Sequence, residues 1–175
     1  MAASPVDPAA FRRAMARWAT GVCVVTGRAP EGADVGLTVN AFLSVSLAPP
    51  SVLVSIGDES NSADVIRQTG RFAVTVLASD QEAVSRRMAT VVPPAAKFRD
   101  LPLRRSPHGL AWIEGGLAFL ECAVAGAHRA HDHWLLEGIV EVAELGPDRL
   151  PLLFFRSRYG TAEPPDAVRL GPFPP

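Results

Sequence analysis

G-L-T-V-N-A-F-L-S-V-S-L-A-P-P, residues 36–50, is the stretch on which the fold turns. Read as one extended chain, it places Thr38, Asn40, Phe42, Ser44 and Ser46 on one face. Leu37, Val39, Ala41, Leu43, Val45 and Leu47 fall on the other, an apolar wall of the kind a strand packs against a core. The polar face has hydroxyls, an amide and an aromatic, and no charge. Uncharged donors and acceptors beside an aromatic suit a flat ring with polar edges. The same residues would also fill the tight interior of an ordinary barrel.

Upstream, Asp7-Pro8 is a helix-start pair, a capping side chain followed by a residue with no N–H to satisfy. Phe11, Ala14, Met15 and Trp18 recur at helical spacing as far as Gly21. Val22 to Thr26 reads as a β-branched strand, and Arg28 to Asp34, with Pro30 and Gly32, as a hairpin turn into the organising strand.

Downstream, Pro49-Pro50 breaks the strand and Ser51 to Ile56 starts another. Ser60, Asn61 and Ser62 precede a helix ended by Gly70; three capping residues in a row leave backbone N–H groups free for an anion, or simply cap the helix. Phe72 to Leu77 is a strand and Asp80 to Ala89 a helix, followed by a loop over 91–103. Ala111 to Val124 reads as a long strand bulged at Gly115-Gly116, residues 125–133 as a turn, and Trp134–Ala143 and Pro151–Phe155 as the closing strands. Hairpin-length connections and an excess of strands predict an antiparallel barrel with a few packed helices.

At 175 residues the chain has room for one domain, with a short helix start before residue 11 and a tail over 161–175 that holds five prolines. A formal net charge of −1 gives no electrostatic case for nucleic acid. No apolar run reaches the length of a membrane span and no signal sequence opens the chain, so a cytoplasmic protein is expected. Cys23 and Cys122 lack metal spacing and read as buried small hydrophobes. Six basic residues and one acid lie between Arg86 and Arg105, a phosphate-holding patch or a solvated face. No G-x-G-x-x-G, Walker loop or G-x-S-x-G elbow is present. His128, His131 and His133 cluster, but zinc wants three or four ligands with supporting partners, so no metal site is expected.

Several segments resemble one family together. They are F-R-R-A-M-A-R-W-A-T-G-V at 11–22, V-V-T at 24–26, the 36–50 stretch, G-R-F-A-V-T-V-L at 70–77 and K-F-R-D-L-P-L at 97–103. L-A-F-L-E-C at 117–122, H-D-H at 131–133 with Gly138, and P-L-L-F-F-R-S-R-Y at 151–159 complete the series in family order. The chain is similar to the short-chain flavin reductases of two-component monooxygenases, the flavin reductase-like group with an FMN-binding split β-barrel of Greek-key form.

The resemblance implies a homodimer that passes hydride from NADH or NADPH to FMN or FAD and hands reduced flavin to a partner monooxygenase. It places Thr38, Val39, Asn40 and Ala41, with Ser44 on the same strand, at the flavin ring, and Ser55 beneath it. Ser60, Asn61 and Ser62 match the turn near the phosphate, Lys97 and Phe98 the lid element, and Tyr159 the closing aromatic. His133 matches the histidine beside the nicotinamide and is the candidate catalytic residue. Two departures stand out: Ala41 replaces a frequent serine, and His131 replaces the glycine of G-D-H. The rival readings are an oxidase of the pyridoxamine-phosphate type, which would need a basic phosphate clamp, and a non-catalytic flavin- or haem-binding barrel.

Overall fold

The computed structural model describes residues 6–163. The first helix is α1 (Pro8–Met15), where the Asp7 carboxylate accepts from the Ala10 N–H at 3.0 Å. It ends at Met15 rather than running to Gly21, and it buries none of its residues. Then come β1 (Thr20–Gly21), β2 (Cys23–Arg28), β3 (Asp34–Val39), β4 (Phe42–Leu47) and β5 (Pro50–Gly57). Next are α2 (Asn61–Thr69), β6 (Arg71–Val76), a 3-10 turn, α3 (Glu82–Met88) and α4 (Pro94–Phe98). The chain continues through β7 (Leu103–Arg105), β8 (Ala111–Ile113), β9 (Ala118–Ala130), β10 (His133–Leu145), β11 (Leu153–Phe155) and β12 (Arg158–Gly160). The start at residues 1–5 and the proline-rich segment from 164 lie outside the described residues.

Seven strands form one sheet in the order β3-β2-β6-β9-β10-β5-β4, every neighbouring pair antiparallel. β3 and β4 stand at opposite ends of that order, yet only Asn40 and Ala41 separate them in the chain. Three peptide steps reach at most about 11 Å, so the sheet has to curl until its two edges meet. No β3–β4 ladder crosses the meeting line, and the barrel is split there. β1, β11 and β12 form a small second sheet, and β7 and β8 a third.

β2 is buried along both faces from Cys23 to Gly27, which explains the apolar run Val22–Val25 that leads into it; the buried Thr26 hydroxyl donates to the Ala111 carbonyl. Cys23 and Val25 face the barrel interior with Val54, Phe72 and Leu136, under the lid of Ala63 and Ile66 from α2. Val22 and Val24 face a second cluster with Leu77, Met88 and Ile113. Gly138 of β10 is required by packing: a Cβ there would meet Phe72 Cζ at 2.4 Å.

Several further expectations change. The stretch 36–47 is two strands, because the backbone bends at Asn40–Ala41 to close the barrel. Its apolar wall therefore holds only for Leu37 and Val39; Leu43, Val45 and Leu47 face out from an edge strand. The expected long strand over 111–124 is two strands, since Gly115 takes φ +82° and reverses the chain between partners in different sheets. Residues 125–130 extend β9 instead of turning, held by pairing with β10, and only His131 and Asp132 make the turn. The loop after α3 contains α4, and β12 follows β11 as a further hairpin strand.

Candidate functional site

A cleft of about 730 Å³ opens beside the seam, between the end of α1, β1, the Asn40–Ala41 bend, β5 and β10. Its walls are apolar, from Met15, Trp18, Phe42, Leu43, Leu53 and Leu135. Its side-chain polar groups are Thr20, Asn40, Ser55 and the Cys23 thiol, and no charged residue lines it. Across Asn40 lies a second cavity of about 140 Å³, lined by Thr38, Val39, Asn40, Phe154 and Tyr159 among others. Asn40 thus serves both spaces, and its side-chain amide makes no hydrogen bond among the described residues.

The bend is held from β5: the Ser55 N–H donates to the Ala41 carbonyl at 2.9 Å. Behind β3, the Thr38 hydroxyl donates to the Ser85 carbonyl at 2.6 Å, and the Ser85 and Tyr159 hydroxyls lie 2.8 Å apart. Ser85, fully buried in α3, thereby links the organising strand to the closing aromatic; sequence reading passed it over because nothing local distinguishes it. Lys97 donates to the Gly36 and Met88 carbonyls at 3.2 and 3.1 Å, and burial lowers its pKa. A Cβ on Gly36 would meet Phe98 Cζ at 3.0 Å, so Lys97 and Phe98 support β3 from behind and line neither cavity.

His133 opens β10 opposite Gly57 and shares a strand face with Leu135, two residues on. Leu135 lines the cleft, whereas His133 lines neither cavity; its Nε2 lies 4.0 Å from where a Cβ on Gly57 would stand. Its Nδ1 lies 2.9 Å from Asp132 Oδ1, and that contact lowers the Asp132 pKa. His131 adopts φ +59° at the first position of the two-residue loop, the conformation for which a II′ turn favours glycine. The turn is therefore kept without the glycine. Among the described residues, His128, His131 and His133 do not come together as a set of metal-ligating atoms. Ser60 caps α2, accepting from the Ser62 N–H at 3.3 Å, and its own N–H donates to the Gly57 carbonyl. Asn61 and Ser62 form the helix's first turn beside the same Gly57. Ser44 is exposed on β4 and lines neither cavity.

Thr20, like Ser85, is a residue that sequence reasoning missed. Its Oγ1 is the one buried side-chain polar atom without a partner among the described residues, and it belongs to the cleft wall. An orphaned hydroxyl, a free amide at Asn40 and dry walls fit a flat heterocycle with donors and acceptors around its edge. Cys23 contributes no charge, since burial pushes its pKa up to about 12.

A second polar cluster lies at the other end of β2. Glu121 is fully buried and contacts the His108 ring and, at 3.2 Å, Arg71 Nη1, which also reaches Glu141 at 2.6 Å. Burial pushes the Glu121 carboxyl up. Hydrogen bonds from Ser106 and from the His108 amide and ring outweigh it, so its pKa falls below the ordinary 4.5. Arg71 stands among the three groups that could ligate a metal, and the cluster reads as an ion-pair network pinning the β7–β8 hairpin to the barrel.

A split antiparallel barrel with an uncharged cleft at its seam defines a class of proteins that hold flat ring systems. The chain belongs to the flavin reductase like domain family, whose model matches residues 15–163. It is 39% identical over 160 residues to an NADH-dependent flavin reductase of Rhodococcus sp, covering 90% of this chain and 88% of that one. It is 37% identical to the reductase subunit HsaB of a flavin-dependent monooxygenase of Mycobacterium tuberculosis, covering 91% and 84%. Among solved structures, the NADH:FAD oxidoreductase SgcE6 of Streptomyces globisporus, in complex with NAD and FAD fragments, superposes with a TM-score of 0.84. That match is at 33% identity and covers 94% of this chain and 99% of the other. No helix among the described residues is long and apolar enough to cross a membrane.

Proposed function

We propose that the protein is an NAD(P)H:flavin oxidoreductase that reduces FMN or FAD and releases the reduced flavin to a separate monooxygenase in the cytoplasm. The observation that carries the reading is the seam cleft, apolar, uncharged and about 730 Å³ in volume. When bound, the flavin supplies the hydride acceptor and the nicotinamide the donor, so the protein needs no acid–base pair of its own. What the chain contributes is placement. Trp18 and Phe42 give flat apolar contact, and Leu135 adds an aliphatic wall. Asn40, Ser55 and the Thr20 hydroxyl sit where they can meet the polar edge of a ring. His133, fixed by Asp132 on one ring nitrogen, offers the other to a nicotinamide carboxamide. Thr38 and Ser85 keep the strand and Tyr159 in register.

A homodimer completes this picture. Trp18 is 68% exposed and Leu47 92%, with Phe11, Met15, Leu43 and Val45 also uncovered. Met15, Trp18 and Leu43 line the cleft as well, so a second copy covering this apolar face would roof the flavin site. The oxidase rival loses its support, because most of the basic run 86–105 is engaged by Glu82, Asp34, Glu144 and backbone carbonyls.

The test is direct. The protein is mixed with NADH or NADPH and with FMN or FAD, and the reduced-nicotinamide absorbance is followed. Turnover with at least one pairing is expected; none with all four, or a Soret band in the purified protein, would overturn the reading.

A further inference from the structure

The fold leaves a different set of cations free from the one the sequence displays. Arg86, Arg104 and Arg105 pair with Glu82, Glu144 and Asp34, while Arg87 and Lys97 donate to backbone carbonyls. Among the described residues, six arginines have neither an ion pair nor a side-chain hydrogen bond: Arg12, Arg13, Arg17, Arg99, Arg156 and Arg158. All but Arg99 lie on two segments, the end of α1 and the β11–β12 hairpin. The Arg156 N–H donates to the Ala16 carbonyl at 2.8 Å, which ties those segments together. Each of these five arginines is exposed and lies within three residues of one that lines a cavity, Met15, Trp18, Phe154 or Tyr159.

A solvated helix end accounts for part of this. Arg12 and Arg13 complement the C-terminal dipole of α1. That does not explain Arg156 and Arg158, nor why Arg156 and Ser157 hold φ +50° and +60°, a turn that glycine or asparagine would make with less strain. Among the described residues, the Arg156 guanidinium has only the Phe155 ring beneath it, at 5.1 Å, and backbone strain of this kind is a reason to ask what the hairpin holds. Guanidiniums without a carboxylate repel one another until an anion arrives, and a net charge of −1 means attraction for anions has to be local.

We propose that Arg17, Arg156 and Arg158, flanked by Arg12 and Arg13, form a docking arc for the phosphate groups of the nucleotide whose ring enters the cleft. The proposal rests on the cleft being a flavin and nicotinamide site, as inferred above. Two sources of phosphate are open to it, the tail of the flavin and the diphosphate of the nicotinamide dinucleotide, and phosphate-free riboflavin separates them.

The experiment compares wild type with the triple variant Arg17→Ser, Arg156→Asn, Arg158→Ser, and with a triple lysine variant that keeps the charge. Dissociation constants for FMN and riboflavin are read from flavin fluorescence, and KM for NADH from turnover with riboflavin as acceptor. The neutral variant should lose about tenfold in affinity for FMN with riboflavin binding intact, or about tenfold in KM for NADH with both flavins intact. Lysine should restore most of either loss, and added salt should weaken wild type in the same direction. Unchanged constants, or equal losses for FMN and riboflavin, overturn the arc while leaving the cleft reading in place. Wild type that binds neither flavin and oxidises no NADH overturns the cleft reading and takes the arc with it.

Discussion

Replacing Thr20 by valine should make the ligand-free protein more stable and its hold on flavin weaker, two effects of opposite sign from one atom. The Thr20 hydroxyl is buried with no partner, and valine keeps the shape while removing the oxygen. A buried unsatisfied hydroxyl costs about 1–3 kcal/mol. In a chain of this size each kcal/mol moves Tm by about 2–4 °C, so the ligand-free variant should melt higher, by about 2 °C at the least. In the complex, the same oxygen meeting the ring's edge contributes about 1 kcal/mol, or roughly fivefold in Kd. Thermal melts without ligand and flavin fluorescence titrations measure the two effects, with Thr20→Ser as the variant that keeps the hydroxyl. A lower melting point for valine would refute the unpaired hydroxyl. A higher melting point with unchanged flavin affinity would refute its contact with the ligand.

Glu121 stabilises the fold through a depressed pKa, so that contribution is complete above about pH 4.5 and is lost as pH falls through the lower folded value. Glu121→Gln should cost about 3 kcal/mol at neutral pH and flatten the acid limb of a Tm-against-pH curve; an acid limb as steep as wild type would contradict this. His131→Gly should raise Tm by releasing φ +59°, an expected gain of about 1 kcal/mol, and an unchanged or lower Tm in thermal melts would show the turn is unstrained. Gly138→Ala should destabilise by about 1–3 kcal/mol in denaturant titrations, through overlap with Phe72 and Cys122. The proposed homodimer predicts that Leu47→Glu shifts the protein toward monomer in sedimentation without lowering the stability of the single chain, where Leu47 touches solvent; wild type that sediments as a monomer would refute the homodimer.

Local rules were readable from the sequence. Asp7 caps α1, Gly70 ends α2 at φ +71°, and the β-branched run at Val22–Thr26 leads into and through most of strand β2. The seam was hidden: neither glycine nor proline marks Asn40–Ala41, and the alternation runs straight through. An apolar face also reads the same whether its partner is a core or another molecule, so the outward turn of Leu43 and Leu47 left no local sign. Long-range pairing was invisible as well. Arg105 finds Asp34 and Arg104 finds Glu144 across 71 and 40 residues, which dissolved the basic run as a patch. Of the candidate site, the stretch through Asn40 was legible by its lack of charge, while Thr20 and Ser85 were not, because an orphaned atom and a relayed contact exist only in three dimensions.

The two buried cysteines bear on how long such a catalyst survives. Reduced flavin that meets oxygen gives hydrogen peroxide, and Cys23 lies in the wall of the cleft where that would happen. Burial pushes both thiols up to about 12, so the reactive thiolate is scarce at neutral pH. A thiol held in its protonated form resists peroxide, so the wall of the cleft is protected chemically at the one position where it carries a thiol.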